Sequence, residues 1–439
     1  MKLFLKQSIG LLLPSLFFVT FLLADVIQAQ PYEWRRTMEL PTECVAFNPL
    51  SKGKTIFVAS LADTGIFRSD NGGLTWAQYN EGLQPFSSSR IMQIYCLDSD
   101  TNVVLAVSQS SGLYRSTNGG RSWSVALESG GILGEAITWH RSSDVLYYGQ
   151  NFMEPVWRSD DHGATWVEVG NQDSIITLCT IAVEQEERKR ILAGSGEGGI
   201  ALSDDEGKNW RMVFDIEDPS EVLRPEVPKI VWSTYAPQVA IATRWLSKYN
   251  SIVRSLDAGE TWERLDIELP RAWALEIDQR PSWVGPLGPN RFWIGLFNRG
   301  SDTNVLNSVV ETHDAGKTWL STGMPKVSQV WMVKYDSTSD RLAAATDDGF
   351  YVTTAKAGVR QEPSVASARL SNNPAHSHSE VILPEGERLH SIAVYDAAGR
   401  LMFTGTERKI ELSVLAHGAY RVEVITDHST HYLPLVIVR

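Results

Sequence analysis

The chain has 439 residues, with 52 acidic against 40 basic side chains and a formal net charge of −12. That length suits one large all-β domain plus a smaller companion. The negative balance, without a lysine-rich run, argues against nucleic acid or anionic lipid as the main partner, since both require a basic footprint.

At the N-terminus, Lys2 and Lys6 precede an apolar run from Ile9 to Leu23 and a small residue at Ala29. This pattern predicts a signal peptide over residues 1–29, cleaved after Ala29. The run is short for a membrane span of about 20 apolar residues. No later segment reads as a transmembrane helix, so none is expected after cleavage. Cys44, Cys96 and Cys179 cannot all pair, and each lies in an apolar, strand-like stretch. Buried free thiols are the expectation.

From residue 69 onward one octet recurs: SDNGGLTW, STNGGRSW, SDDHGATW, SDDEGKNW, SLDAGETW and THDAGKTW, ending at Trp76, Trp123, Trp166, Trp210, Trp262 and Trp319. The spacing matches a four-stranded propeller blade of roughly 40–50 residues. Three short apolar segments precede each octet and one follows it, which reads as strands A, B, C and D with A innermost. A seventh A–B–C set covers Val330–Asp336, Arg341–Thr346 and Gly349–Thr354, with no tryptophan strand after it. Trp34, in YEWRRT, stands where the other D strands carry theirs. The N-terminal strand is therefore predicted to complete the last blade, giving an all-β, seven-bladed β-propeller without a long free edge.

In the octets, Asn71, Asn118, Asp161, Asp205, Asp257 and Asp314 are expected to accept hydrogen bonds from their own turns. Gly73, Gly120, Gly163, Gly207, Gly259 and Gly316 supply a position needing φ > 0. The tryptophans fill space between sheets. Six equivalent sites are the scaffold of a repeat rather than one catalytic centre. No catalytic residue and no metal site is predicted, and no cofactor is expected. Asp204-Asp205-Glu206 lacks the ligand series of a calcium loop, and Gly194–Gly199 sits between two strands with no helix after it, so it reads as a tight turn.

The octet pattern resembles the Asp-box (BNR) family, found in sialidases, sortilin-type receptors, xyloglucanase-like hydrolases and photosystem-assembly propellers. The resemblance covers residues 30–358 and implies the fold. It leaves function open, because the same box serves enzymes and binding proteins.

Residues 359–371 read as a linker, and 372–439 as a small β-sandwich with alternating apolar positions such as Ile392, Val394, Val422 and Val424. Asn373-Pro374-Ala375, Val394-Tyr395-Asp396-x-x-Gly399 and Leu415-x-x-Gly418-x-Tyr420 resemble the C-terminal sorting domain of type IX secretion substrates. That resemblance implies export through an outer membrane by a type IX-like machinery, followed by removal of the domain or attachment at the surface; a secreted or surface-held protein is expected, and a monomer. His376-x-His378 has no third ligand in sight and reads as solvated.

Topology limits where a ligand site can lie. The A–B and C–D turns share one face, which carries the octets. The B–C loops and D–A connections share the other, and a site is expected there. The residues predicted to contact ligand are Arg90, Asn151, Glu197, Arg244, Trp245, Tyr249, Arg299, Asp302 and Asp347. Arginine and aromatic side chains suit sugar faces or peptide side chains. A sialidase would carry an Arg-Ile-Pro-type motif near the start of the propeller, and none stands there; Leu223-Arg224-Pro225 is a mid-chain echo. The expected function is non-catalytic binding of an extracellular glycan or protein. A divergent glycoside hydrolase, with two carboxylates roughly 5–9.5 Å apart, is the alternative.

Overall fold

The computed structural model describes residues 32–61, 65–84, 90–128, 134–150, 155–170, 178–186, 190–215, 226–245, 251–265, 271–285, 287–297, 308–354, 369–370, 378–383, 388–395, 400–416, 418–427 and 430–437. Among these, seven four-stranded antiparallel sheets follow one another from Trp34 to Thr353. We number them as blades 1 to 7. Their innermost strands are Thr42–Phe47, Ile91–Cys96, Ile137–His140, Leu178–Val183, Lys229–Trp232, Ala272–Ile277 and Val330–Asp336. The blade 1 inner strand packs between those of blades 2 and 7, and contact continues from blade 3 through blade 7. Blades 2 and 3 are joined by Gln93, whose amide spans to both the N–H and the C=O of Ile137. The ring is closed, and the fold is a β-propeller.

The outer strand of blade 7 is Trp34–Met38, antiparallel to Gly349–Thr353 with Trp34 opposite Thr353. The N-terminal strand thus lies where the sequence puts it. Trp34 Nε1 also donates to Thr322 O of blade 6 at 3.2 Å.

Each octet is a self-contained hydrogen-bonded turn. The Ser or Thr hydroxyl accepts the glycine N–H at 2.8–2.9 Å in all six. It donates to the Asn or Asp Oδ1 at 2.8–2.9 Å. That oxygen accepts the N–H four residues after it at 2.8–3.0 Å. The glycines have φ between 75° and 89°, which a Cβ would strain. At Gly120 a Cβ would also meet Phe57 of blade 1 at 2.5 Å.

One feature of the octet is not visible in its letters. The residue before the glycine is left-handed too, with φ 58–73° at Gly72, Gly119, His162, Glu206, Ala258 and Ala315. This turns its carbonyl toward the preceding blade, where an arginine takes it. Arg341 donates to Gly72 O at 2.8 Å, Arg115 to His162 O at 2.9 Å, Arg190 to Ala258 O at 2.8 Å and Arg254 to Ala315 O at 3.2 Å. Arg68 donates to Gly119 O, and Arg158 pairs with the Glu206 carboxylate at 3.0 Å. These charge-assisted bonds fasten consecutive blades. Blade 7 has no octet, so Arg291 of blade 6 donates to Tyr32 Oη instead, at 2.7 Å.

Blade 6 departs from the expected simple A–B turn. A one-turn 3-10 helix, Pro281–Trp283, and a hairpin of Val284–Gly285 with Gly288–Pro289 fill that connection. The tail forms two sheets, one of Arg369–Leu370, His378–Ile382 and Lys409–Glu411, the other of Leu401–Gly405, Leu389–Tyr395, Gly418–Thr426 and Thr430–Ile437. Val381, Ile392, Val394, Ile410, Leu412, Val422 and Val424 form its core. The hairpin turn expected at Asp396–Gly399 lies outside the described residues. No helix among the described residues is long and apolar enough to cross a membrane.

A tryptophan-lined mouth opposite the octets

Every inner strand starts at the mouth of the ring away from the octets, because the octet joins strand C to strand D and the chain direction alternates. At that mouth a recess is lined by Glu43, Met92, Gly134, Glu135, Pro228, Lys229, Trp273, Ala274, Trp331 and Met332. Its volume is about 20 Å³, room for a single water. Among the described residues this recess does not enclose a sugar ring.

A backbone irregularity supplies four of the lining side chains. In blade 1, Thr42 pairs with Ser60 and Cys44 with Ala59, leaving Glu43 as an extra residue. The same slip leaves out Met92, Cys179, Trp273 and Trp331 in blades 2, 4, 6 and 7. A bulge re-aims the side chain it carries, and here it does so at one level around the ring.

Trp331 and Trp273 form an aromatic wall. Their rings meet edge to face at 5.7 Å. Phe297 stacks on Trp273 at 4.8 Å, and Trp245 packs edge-on against Trp273 at 5.2 Å. The Arg90 guanidinium lies 5.6 Å from the Trp331 ring centroid and pairs with the buried Glu43. Burial lifts the Glu43 carboxyl above its ordinary range, against the pull of Arg90.

Beneath the wall, charges cross the channel. Glu135 of blade 3 pairs with Lys229 of blade 5, and with Lys334 of blade 7 at 3.1 Å. Lys334 also reaches Glu276 of blade 6 at 3.6 Å. Burial opposes ionisation of Glu135, but the two ammonium groups outweigh it and hold its carboxyl down at about 2. Burial lowers the Lys229 pKa despite Glu135, and lifts that of Glu276 despite the lysines. Tyr95 is pushed up to about 12 by burial. Among the described residues no group of three or more His, Cys, Asp or Glu side chains could hold a metal ion.

The nine sequence-predicted contacts fare unevenly. Arg90 is at the mouth, engaged with Glu43 and Trp331. Trp245 backs the aromatic wall. Arg244 lies inside the fold. It is fully buried with its guanidinium 5.5 Å from the Phe214 ring centroid, its length spent filling interior space. Glu197 sits in a tight turn with its N–H on Ser195 Oγ at 3.0 Å. Asp347 accepts the Gln329 N–H at 2.9 Å and so ties two connections together. Asn151, Tyr249, Arg299 and Asp302 lie outside the described residues.

Trp273, Trp331, Glu43, Lys229, Lys334 and Glu276 were missed. They look like ordinary members of strand A. The signal that could have found Glu43, Trp273 and Trp331 is a bulky or charged residue second in an otherwise apolar inner strand; Lys229 opens its strand, and Lys334 and Glu276 stand fifth in theirs.

No protein-family model matches the chain, and no curated protein matches it in sequence. Solved structures do resemble it. YCF48 bound to D1 peptide shares 16% identity at TM-score 0.52, over 74% of this chain and 97% of that one. YCF48 from Cyanidioschyzon merolae shares 12% at TM-score 0.53, over 73% and 98%. The GH74 enzyme of Niastella koreensis shares 13% at TM-score 0.56, over 92% of this chain and 66% of that one. Identities this low speak for the propeller fold alone.

Proposed function

We propose that this chain is a non-catalytic binding propeller that holds a polypeptide or glycan across the mouth opposite the octets. The observation that carries this is the Trp273–Trp331 wall above a recess too small for a sugar ring. Aromatic surface beside paired charges suits capture without chemistry. The peptide held by one YCF48 neighbour is consistent with it. On the sequence resemblances, the octets belong to the Asp-box (BNR) type, and the chain is secreted or surface-displayed through a type IX-like route, with its tail as the sorting domain. Fractionation of cells producing the full chain, with and without residues 372–439, tests that route: retention of both forms in the cytoplasm would contradict it.

A peptide and glycan array probed with wild type and Trp331→Ala tests the binding reading. Capture by the wild type and its loss in the variant, at unchanged melting, is the expected result. No capture, or equal capture by both, would overturn it.

A divergent glycoside hydrolase is the second reading. Glu43 and Glu135 line one recess, one carboxyl raised and one lowered, the split that acid and nucleophile require. Against it, Arg90 occupies the first and two lysines the second. Turnover of any aryl glycoside or sialoside, abolished by Glu43→Gln, would establish hydrolysis; inertness toward the whole panel is expected.

A further inference from the structure

Resting on the binding reading above, we propose that the mouth selects a polypeptide presenting an arginine or lysine, and that Glu226 receives the cation.

Glu226 stands three residues before Lys229, where the chain enters the blade 5 inner strand at the mouth. Its carbonyl accepts the Trp245 N–H at 2.8 Å, and the Trp245 ring packs against Trp273 at 5.2 Å. The residue is therefore fixed beside the aromatic wall. The other carboxylates set into the recess and the channel below each have a cation: Glu43 has Arg90, Glu135 has Lys229 and Lys334, and Glu276 has Lys334. Among the described residues the Glu226 carboxylate has neither a salt bridge nor a side-chain hydrogen bond. It is half-buried, and desolvation alone lifts its pKa. A carboxylate partly removed from water without a partner is a standing cost that an incoming cation offsets.

The same mouth already shows the completed form of this arrangement. Arg90 lies over Trp331 with its charge on Glu43. Trp245 and Trp273 supply the aromatic part again, and Glu226, whose backbone carbonyl holds the Trp245 N–H, supplies a carboxylate, without the guanidinium. A ligand arginine or lysine provides it, gaining a charge-assisted bond and contact with the tryptophans.

Three blocked heptapeptides, identical except for a central Arg, Gln or Glu, test this by titration calorimetry and by the indole signals of 15N-tryptophan-labelled protein. The Arg peptide is expected to bind about tenfold tighter than the Gln peptide, the scale of a bond to a charged group, and the Glu peptide weakest. Glu226→Gln should erase the preference while the melting temperature stays put. Equal binding of Arg and Gln peptides, no binding of any, or a preference surviving Glu226→Gln would overturn the inference. So would tighter binding of glucosamine oligomers than of the Arg peptide, because the cation would then come from a glycan. Trp331→Ala, with Trp331→Phe in reserve should it fold poorly, separates the two claims. Binding that Trp331→Ala abolishes but that ignores the central residue sinks only the cation preference. Binding untouched by both Trp331 variants sinks the assignment of the mouth.

Discussion

Tyr32→Phe removes a single oxygen, and that oxygen joins the two ends of the propeller. Tyr32 Oη donates to Glu311 Oε2 at 2.9 Å, 279 positions away in sequence. It accepts from Arg291 Nη2 at 2.7 Å and from Trp293 Nε1 at 3.2 Å. The three partners have other contacts: Trp293 with Glu311 at 3.1 Å, Arg291 with Asp278 at 3.2 Å, and Glu311 with His313 at 3.2 Å. Two of the lost bonds involve a charged group, each worth about 1.5–3 kcal/mol. Partial compensation by those remaining contacts brings the expected loss to about 2–3 kcal/mol in all. The ring packing is unchanged, because phenylalanine fills the same volume. Urea unfolding followed by tryptophan fluorescence measures the difference. The midpoint should fall with an unchanged slope, since the surface exposed on unfolding is the same. A loss below about 0.5 kcal/mol, the size of an ordinary surface substitution, would refute the view that Tyr32 does for blade 7 what the octet carbonyls do for the other six blades.

Arg341 holds the carbonyls of Thr353, Gly53 and Gly72 at 2.8–2.9 Å. Arg341→Met should cost about 2–4 kcal/mol, and Arg341→Lys should not restore it, since an ammonium cannot span three acceptors as a planar guanidinium does; chemical unfolding reads both. Glu135 carries a pH signature. Its carboxyl is held near 2 against an ordinary 4.5, so its contribution, on the order of 3 kcal/mol, is fully present above pH 4.5 and is lost as the pH falls toward 2. Melting temperature against pH should drop through that window, and the drop should shrink in Glu135→Gln, which should also melt lower at pH 7 because Lys229 loses its counter-ion and Lys334 keeps only Glu276. Burial lifts all three thiols, Cys96 to about 12. A thiol reagent at pH 8 should leave the native protein unmodified and label all three cysteines in guanidinium.

The propeller was legible because a repeat repeats its own physics. The octet letters specify a turn whose hydrogen bonds are local, so Asp257 and Gly259 could be given roles from spacing alone, while the part of Ser255 shows only in the structure. Trp34 could be assigned to blade 7 because the ring lacked one strand. The arginines that seize the octet carbonyls were less visible. Arg68, Arg115, Arg158 and Arg254 precede the octet directly, but Arg190 and Arg341 reach the same place from the start of the second strand. The mouth was the least legible part. Its face was predictable from chain direction, but its wall depends on a bulge, and a bulge is a property of pairing between strands. Trp273 drew no attention in the sequence, and the slip between Ala272 and Ala274 is what takes it out of the strand's pairing. Arg244 hides its surroundings in the opposite way: a charged side chain beside a loop is buried, with its guanidinium against Phe214.

The most direct measurement uses 15N-tryptophan-labelled protein titrated with the tightest peptide or glycan from the array. Indole signals of Trp273 and Trp331 should shift with the binding isotherm while those of Trp76, Trp166 and Trp262 stay fixed. Movement of the octet tryptophans with Trp273 and Trp331 unmoved would put the ligand on the wrong end of the ring and contradict the mouth as its site.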